Sequence, residues 1–373
     1  MSDDTTPEAD RLDGVPHPRH TPRLFGQEPA EAAFLDAYTQ NRLHHAWLIT
    51  GPEGIGKATL AWHIARFLMA QDSHQDALFA TPPDSLHIPP EHPVFLRAAA
   101  LGEPGIFLCR RSWDEKKKKL KTVITVDEVR KLKAFFELTA ADGGWRIAIV
   151  DAADEMNPQA ENALLKILEE PPAKTLLLLV AHQPAKLLPT IRSRCRELRC
   201  RTLPPETLQQ VMAQAGLDTD TDFAALTELS GGSASGAVDL LANDGLALYH
   251  EVVALLATCP RMNRQRINAL GDKCTGAAGQ ARYAMTVRLT LLALSRLALA
   301  GARGIANPVQ GEAEIAARLS ANPHQARIWA DLVQDLNARI SHARTVNLDP
   351  ALVILDTFLK IDSAAGQATL LSA

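Results

Sequence analysis

Residues 51–58 read Gly-Pro-Glu-Gly-Ile-Gly-Lys-Ala, a glycine-rich turn set between an apolar run at 46–50 and a stretch of helical periodicity at 59–69. A buried strand that passes into a helix through such a turn builds one layer of a parallel α/β sheet, which limits the fold of the whole N-terminal half. The octet matches the phosphate-loop pattern G-x-x-x-x-G-K-[ST] at every fixed position except the last. Gly51, Gly54 and Gly56 would let backbone N–H groups converge on an anion. The helix start adds its positive end, and Lys57 would reach the outer phosphates. Ala58 stands where a Ser or Thr hydroxyl would hold Mg²⁺.

Further strands are expected at 122–126, 146–150, 175–180 and 197–201, with helices at 30–42, 127–138 and 158–170. The third of these strands is too apolar for a surface position and suits a parallel sheet. After residue 203 the pattern changes to short helices at 204–215, 222–229 and 236–242. Long helical segments follow at 246–258, 280–300, 323–344 and 350–360, the last with Asp349 as N-cap and Pro350 at the first helical position. The expected organisation is a tail without fixed structure at 1–22, an α/β domain at 23–203 with an irregular insertion at about 71–122, a small three-helix lid at 204–245, and an all-helical domain at 246–373.

Phosphoryl transfer needs parts beyond the loop. Asp151, at the end of a strand, is positioned like a carboxylate that orients a metal's water shell, but Ala152 follows it where a water-polarising acid is needed. Asp154 and Glu155 come next and are expected to point elsewhere. Lacking both the loop hydroxyl and that acid, the site is expected to be nearly inert.

Composition excludes other classes. A net charge of −4 does not make the whole molecule a nucleic-acid binder, and 5% aromatics leave little for base stacking. Five cysteines with no C-x-x-C pair suggest reduced thiols in a cytoplasm. The longest strictly apolar run, 176–181, is too short to span a bilayer. The apolar stretch 289–302 is broken by Ser295 and Arg296 and reads as a buried helix, so no membrane partner is expected.

Two further strings carry a resemblance: Asn162-Ala-Leu-Leu-Lys-Ile-Leu-Glu-Glu-Pro-Pro172 and Leu188-Pro-Thr-Ile-Arg-Ser-Arg-Cys195. Together with Gly26-Gln27, His45-Ala-Trp-Leu-Ile-Thr-Gly51, Gly231-Gly-Ser233 and Asn347-Leu-Asp-Pro350, in that order and spacing, they resemble the AAA+ clamp-loader subunits of bacterial DNA polymerase III. The resemblance covers nearly all of the chain after the tail. It implies a RecA-like AAA+ P-loop domain, a helical lid and a C-terminal collar domain. It also implies a place in a hetero-pentamer with gamma/tau and delta subunits, which opens a sliding clamp and sets it on primed DNA. Arg194 of the Ser193-Arg194-Cys195 motif would be an arginine finger, reaching the γ-phosphate of ATP held by a neighbouring subunit. A guanidinium suits that role because it is always charged and forks onto phosphate oxygens. Ser235 falls where working motors of the family carry a lid arginine, and Ala181 and His182 replace a polar sensor at a strand end. The resemblance thus implies a subunit that does not hydrolyse ATP. No cofactor is required, while Gly51, Gly54, Gly56, Lys57 and Asp151 are the residues a retained ATP or ADP would use. An ATP-hydrolysing motor of the same family and a standalone nucleotide-binding regulator are the alternatives.

Many relatives carry a four-cysteine zinc module in the insertion. Here it keeps Cys109, with His74, His87 and His92 as scattered substitutes, so zinc is not expected. The same insertion carries Lys116, Lys117, Lys118, Lys119 and Lys121, read as a solvated loop or, alternatively, a non-specific contact with DNA phosphates. His44, His45 and His63 are given packing or structural roles.

Overall fold

A computed structural model describes residues 7–12, 14–72, 83–137, 144–217, 220–305 and 309–370. The chain divides into two compact units, residues 1–219 with 233–235, and residues 220–232 with 236–373.

The first unit is built on five parallel strands. In chain order its elements are α1 (Glu28–Thr39), β1 (Ala46–Thr50), α2 (Lys57–Asp72), α3 (Pro93–Ala99), β2 (Ile106–Arg110), β3 (Trp113–Asp114) and β4 (Lys119–Leu120). There follow α4 (Val126–Glu137), β5 (Arg146–Asp151), α5 (Pro158–Glu169), β6 (Thr175–Ala181), α6 (Pro189–Arg192), β7 (Arg196–Arg199) and α7 (Pro205–Gln214). The sheet order is β2-β5-β6-β1-β7, and β3 and β4 pair separately as an antiparallel hairpin. All three inner strands have neighbours on both sides and helices on both faces, so their central residues are apolar, with polar residues only at the strand ends.

Strand alternation sorts the core into two halves. Trp47, Ile49, Ile147, Ile149, Leu176, Leu178 and Val180 face one cluster with α1 and α2. Ala46, Leu48, Ala148, Val150, Leu177 and Leu179 face the other, with α4 and α5. Asn157 caps α5 by accepting from the Ala160 N–H (2.8 Å), and Pro158 occupies the first turn, which fixes where the helix leaves β5.

Three sequence expectations are corrected here. Between 83 and 122 the chain is ordered rather than irregular: it contains α3, the β3–β4 hairpin and β2, a strand of the main sheet. β2 lies at the sheet edge and is only half-buried, and prolines upstream of it mask its signal. By contrast, 122–126 is no strand. Ile124 makes a single parallel bridge to Met156, and Thr125 leads directly into α4. The described part of the tail is also ordered, for a reason no local pattern carries. Arg110, at the end of β2, forms ion pairs with Glu8 (2.8 Å) and with Asp10; Arg19 pairs with Glu8 (2.9 Å), and His17 with Asp10 (3.0 Å). Buried Arg66 donates to the carbonyls of Arg19 and Thr21 (both 3.1 Å) and stacks over Phe95. Burial alone would raise the Glu8 carboxyl, but the hydrogen bonds from Arg19 and Arg110 outweigh it and bring it to about 2.

The second unit is helical: α8 (Phe223–Ser230), α9 (Ala234–Ala242), α10 (Gly245–Leu256), α11 (Arg264–Asp272), α12 (Gly276–Arg303), α13 (Glu312–Leu319), α14 (Pro323–Thr345) and α15 (Pro350–Leu370), with the first residues of α9 clustering with the sheet unit. α12 packs on α10 and α14, and α15 on α11 and α14. Asp349 accepts from the Ala351 N–H (3.3 Å), as its N-cap assignment expects. One segment, Gly279–Arg303, is long and apolar enough by length and composition to cross a membrane. Its interrupting residues are satisfied within the unit: Ser295 donates to the Leu291 carbonyl, and Arg296 pairs with Glu228 (3.0 Å) and Glu312 (2.8 Å).

The expected lid at 204–245 does not coincide with this division. α7 clusters with the sheet unit, whereas α8 and most of α9 belong to the helical unit.

Candidate functional site

At the carboxyl ends of β1 and β5, where open parallel sheets place their ligand crevices, the loop of residues 51–56 joins β1 to α2. Its shape demands glycine. Gly51 has φ +137°, and a Cβ there would lie 2.9 Å from the Cys200 carbonyl oxygen. Gly54 has φ +72°, and a Cβ would come within 1.8 Å of Ser235 Oγ and 2.5 Å of Ser233 Oγ. Gly56 also has a positive φ. The Ala234 N–H donates to the Gly54 carbonyl (2.8 Å), so residues 233–235 lie against the loop.

Lys57 and several carbonyls of the loop are engaged within the protein. Lys57 is 3% exposed, and its Nζ donates to the Gly51 carbonyl (2.7 Å) and to the Pro52 carbonyl. Burial pushes its pKa down to about 8, against the pull of Asp151 and other acids. Asp151 is pushed up to about 7, chiefly by burial, with Asp10 adding and Lys57 opposing. Lys57 therefore stays mostly charged near neutrality, while Asp151 is pushed toward its neutral form. Gln27, 1% exposed, braces the loop from below: its Nε2 donates to the Ile55 and Arg201 carbonyls (both 2.8 Å), and its Oε1 accepts from the Arg201 N–H (2.9 Å).

The acids after Asp151 are engaged elsewhere. Asp154 accepts the backbone N–H groups of His182 (3.0 Å) and Gln183 (2.9 Å), and Glu155 pairs with Arg111 (2.7 Å). Asp154 thus fastens the end of β6. Ala58 lies in the first turn of α2 and brings no oxygen.

Arg194 is placed at the opposite end of the strands. It precedes β7, whose first residue, Arg196, is in register with Trp47 near the start of β1, whereas the loop follows the end of β1. At ~3.3 Å per residue, the length of β1 puts the two about 16 Å apart along the sheet. Arg194 cannot reach its own chain's loop. Its side chain is 38% exposed, pairs with Glu169 (2.9 Å) and donates to the Thr190 carbonyl (3.1 Å). Cys195 anchors the turn inward, packing on the core with its thiol pushed up to about 12 by burial. Arg196 stacks over Trp47 at 5.0 Å, a structural position.

Of the sequence candidates, Gly51, Gly54, Gly56, Lys57 and Asp151 come together and Arg194 stands apart. Sequence reasoning missed Glu8, Asp10 and the bracing by Gln27; the acids' partner, Arg110, lies about a hundred residues downstream. The zinc candidates are dispersed. Cys109 is buried with its pKa pushed up to about 12, His92 caps α3, His87 faces the Pro22 carbonyl (3.1 Å), and His74 lies outside the described residues. No group of three or more His, Cys, Asp or Glu among the described residues could hold a metal ion. His63 is buried beside Arg66 and held down at about 3 by burial and that neighbour, and His45 bonds to the Leu168 carbonyl (3.1 Å).

Sheet order, loop and strand-end carboxylate define a phosphate-loop α/β domain of AAA+ type. A family model described as "DNA polymerase III, delta subunit" matches residues 26–204. The chain is 38% identical over 190 residues to the DNA polymerase III subunit delta′ of Pseudomonas aeruginosa, covering 51% of this chain and 53% of that protein. To the gamma/tau subunit of Mycobacterium bovis it is 28% identical over 267 residues, covering 63% and 42%. The chain thus spans about half the length of the curated relatives it matches. A solved DNA polymerase III gamma-subunit-related protein from Thermotoga maritima aligns over 89% of this chain and 99% of its own, at 16% identity and a TM-score of 0.38.

Proposed function

We propose that this chain is a delta-prime-type subunit of a DNA polymerase III clamp loader, one that does not itself hydrolyse ATP. The observation that carries the reading is a contrast within one domain. The phosphate loop lacks its metal-ligating hydroxyl and keeps Lys57 bonded to its own carbonyls, while Arg194 stands half-exposed near the other end of β1. A loop so arranged favours a scaffold; an accessible guanidinium favours action on a triphosphate held by another subunit.

On this reading residues 246–373 form the collar domain that joins gamma/tau and delta subunits in a hetero-pentamer in the cytoplasm, and residues 204–245 act as the lid. The assembly places a sliding clamp on primed DNA, and Arg194 is the arginine finger for the adjoining ATP site. Gly51, Gly54, Gly56, Lys57 and Asp151 are the remnant of a nucleotide site and need no occupant for the scaffold role.

The similarity to gamma/tau subunits raises a second reading, a working motor. Ala58 and the engagement of Asp154 and Glu155 oppose it. Purified chain is expected to co-elute with gamma/tau and delta subunits on size exclusion and to show no ATP turnover alone. Sustained turnover by the isolated chain would favour the motor, and failure to co-elute would remove the clamp-loader assignment.

A further inference from the structure

The β3–β4 hairpin leaves the sheet at the carboxyl end of edge strand β2. Its base is closed by the Trp113–Leu120 pair and by the Lys121 N–H donating to the Ser112 carbonyl (3.0 Å). Its tip is held in shape from inside: Asp114 Oδ1 accepts the N–H groups of Lys116 (3.0 Å) and Lys117 (3.1 Å), and Lys118 turns the chain with φ +47°. Lys116, Lys117, Lys118 and Lys119 are all exposed, and Lys121 is half-buried behind them. Among the described residues none of the five forms an ion pair, and the neighbouring cation Arg111 is already taken by Glu155. Asp114 lies across from Lys119, but its bonded oxygen serves the turn.

Four like charges fixed side by side repel one another, and a chain of net charge −4 has carboxylates enough to neutralise them. Here the tip is stiffened while its charges are left free. From this we infer that the hairpin is a contact for the phosphate backbone of duplex DNA. The choice of DNA among polyanions rests on the clamp-loader reading, and the tip's chemistry agrees with it. Lysines are compact point charges that neutralise phosphates without reading bases. The tip also lacks the aromatic and apolar anchors that protein interfaces concentrate at their centres.

The test is fluorescence anisotropy of the full chain with a short labelled DNA duplex across a salt series. The comparison is with a variant carrying Lys116→Gln, Lys117→Gln, Lys118→Gln and Lys119→Gln together, and with a control carrying four Lys→Arg changes. Wild type should bind at low salt, and the Gln variant should weaken binding at least about tenfold. Its slope of log affinity against log salt should be shallower by about 3–4, at about 0.9 for each phosphate no longer neutralised. The Arg control should keep the wild-type slope. Equal affinity and slope for wild type and Gln variant, or no duplex binding by wild type at low salt, would overturn the inference. So would tighter binding of a poly-glutamate peptide than of the duplex. Because binding is read on the chain alone, a failure to co-elute with other subunits would count against the assembly reading without altering this result.

Discussion

The two ends of β1 have been shaped in opposite ways. At its carboxyl end the phosphate loop is hemmed in: its glycines meet Cys200 and Ser235, its lysine is bonded to its own carbonyls, and the neighbouring acids Asp154 and Glu155 are held by backbone N–H groups and by Arg111. Near its amino end the Ser193-Arg194-Cys195 turn is anchored on the core by Cys195, and the Arg194 side chain is tethered by a surface ion pair with Glu169 and a hydrogen bond to the Thr190 carbonyl. Exposed pairs of that kind contribute roughly 0–1 kcal/mol, so the guanidinium can be redirected at little cost. Bonds to Lys57, Gln27 and Ala234 hold the loop's carbonyls, whereas the arginine is left half-exposed. On the proposed reading, a domain arranged this way holds shape at one end of β1 and presents a guanidinium to a partner at the other.

The contrast can be tested by perturbing each end. Gly54→Val should have the largest effect, because it meets both a positive φ and the Ser233 and Ser235 hydroxyls. A loss of about 3 kcal/mol in urea unfolding is expected. A neutral result would mean that residues 233–235 do not press on the loop.

Arg110→Ala should follow. It leaves Glu8 and Asp10 in a half-buried pocket with fewer counter-charges, and a loss of about 2–3 kcal/mol is expected, with faster proteolysis of the N-terminal segment. Unchanged proteolysis would show that the ion pairs do not hold that segment.

Asp151→Asn should stabilise the protein, and only at the right pH. The folded carboxyl titrates near 7 and an unfolded one near 4. The cost of ionising it in the fold is therefore absent below about pH 4, grows between 4 and 7, and is complete above 7. Asparagine removes that cost, so thermal unfolding should show a gain of about 1–2 kcal/mol at pH 8 that fades by pH 4. A gain independent of pH would mean that Asp151 is not the strained group.

Much of the α/β domain was legible because each piece has a local signature. The glycine loop, the unbroken apolar runs of β5 and β6, and the Asn157-Pro158 start of α5 are all written in adjacent residues. The long C-terminal helices α10, α12, α14 and α15 were legible in the same way, down to Asp349 and Pro350, whereas the short α11 and α13 were not read. What was hidden depends on distant partners. β2 is an edge strand with one pairing neighbour, so its composition is mixed, while the better-patterned 122–126 serves only to enter α4. The acids at 8 and 10 read as solvated until Arg110 is brought beside them. At the site, the motif placed Lys57 and Asp151 but could not show that Lys57 folds back on the loop or that Asp154 and Glu155 are engaged. Those facts follow from β6 and Arg111, which meet the loop only in the folded sheet.

The most direct measurement is made on the assembled complex with Arg194→Ala. The chain alone should lose no more than about 1 kcal/mol of stability, since a half-exposed ion pair with Glu169 and an exposed hydrogen bond to the Thr190 carbonyl are removed, and co-elution with its partners should persist. DNA-stimulated ATP hydrolysis at the adjoining site should fall by about 10³-fold or more, the scale of an arginine finger's contribution. Unchanged turnover in an intact complex would contradict the assignment of Arg194 and, with it, the division of labour between the two ends of β1.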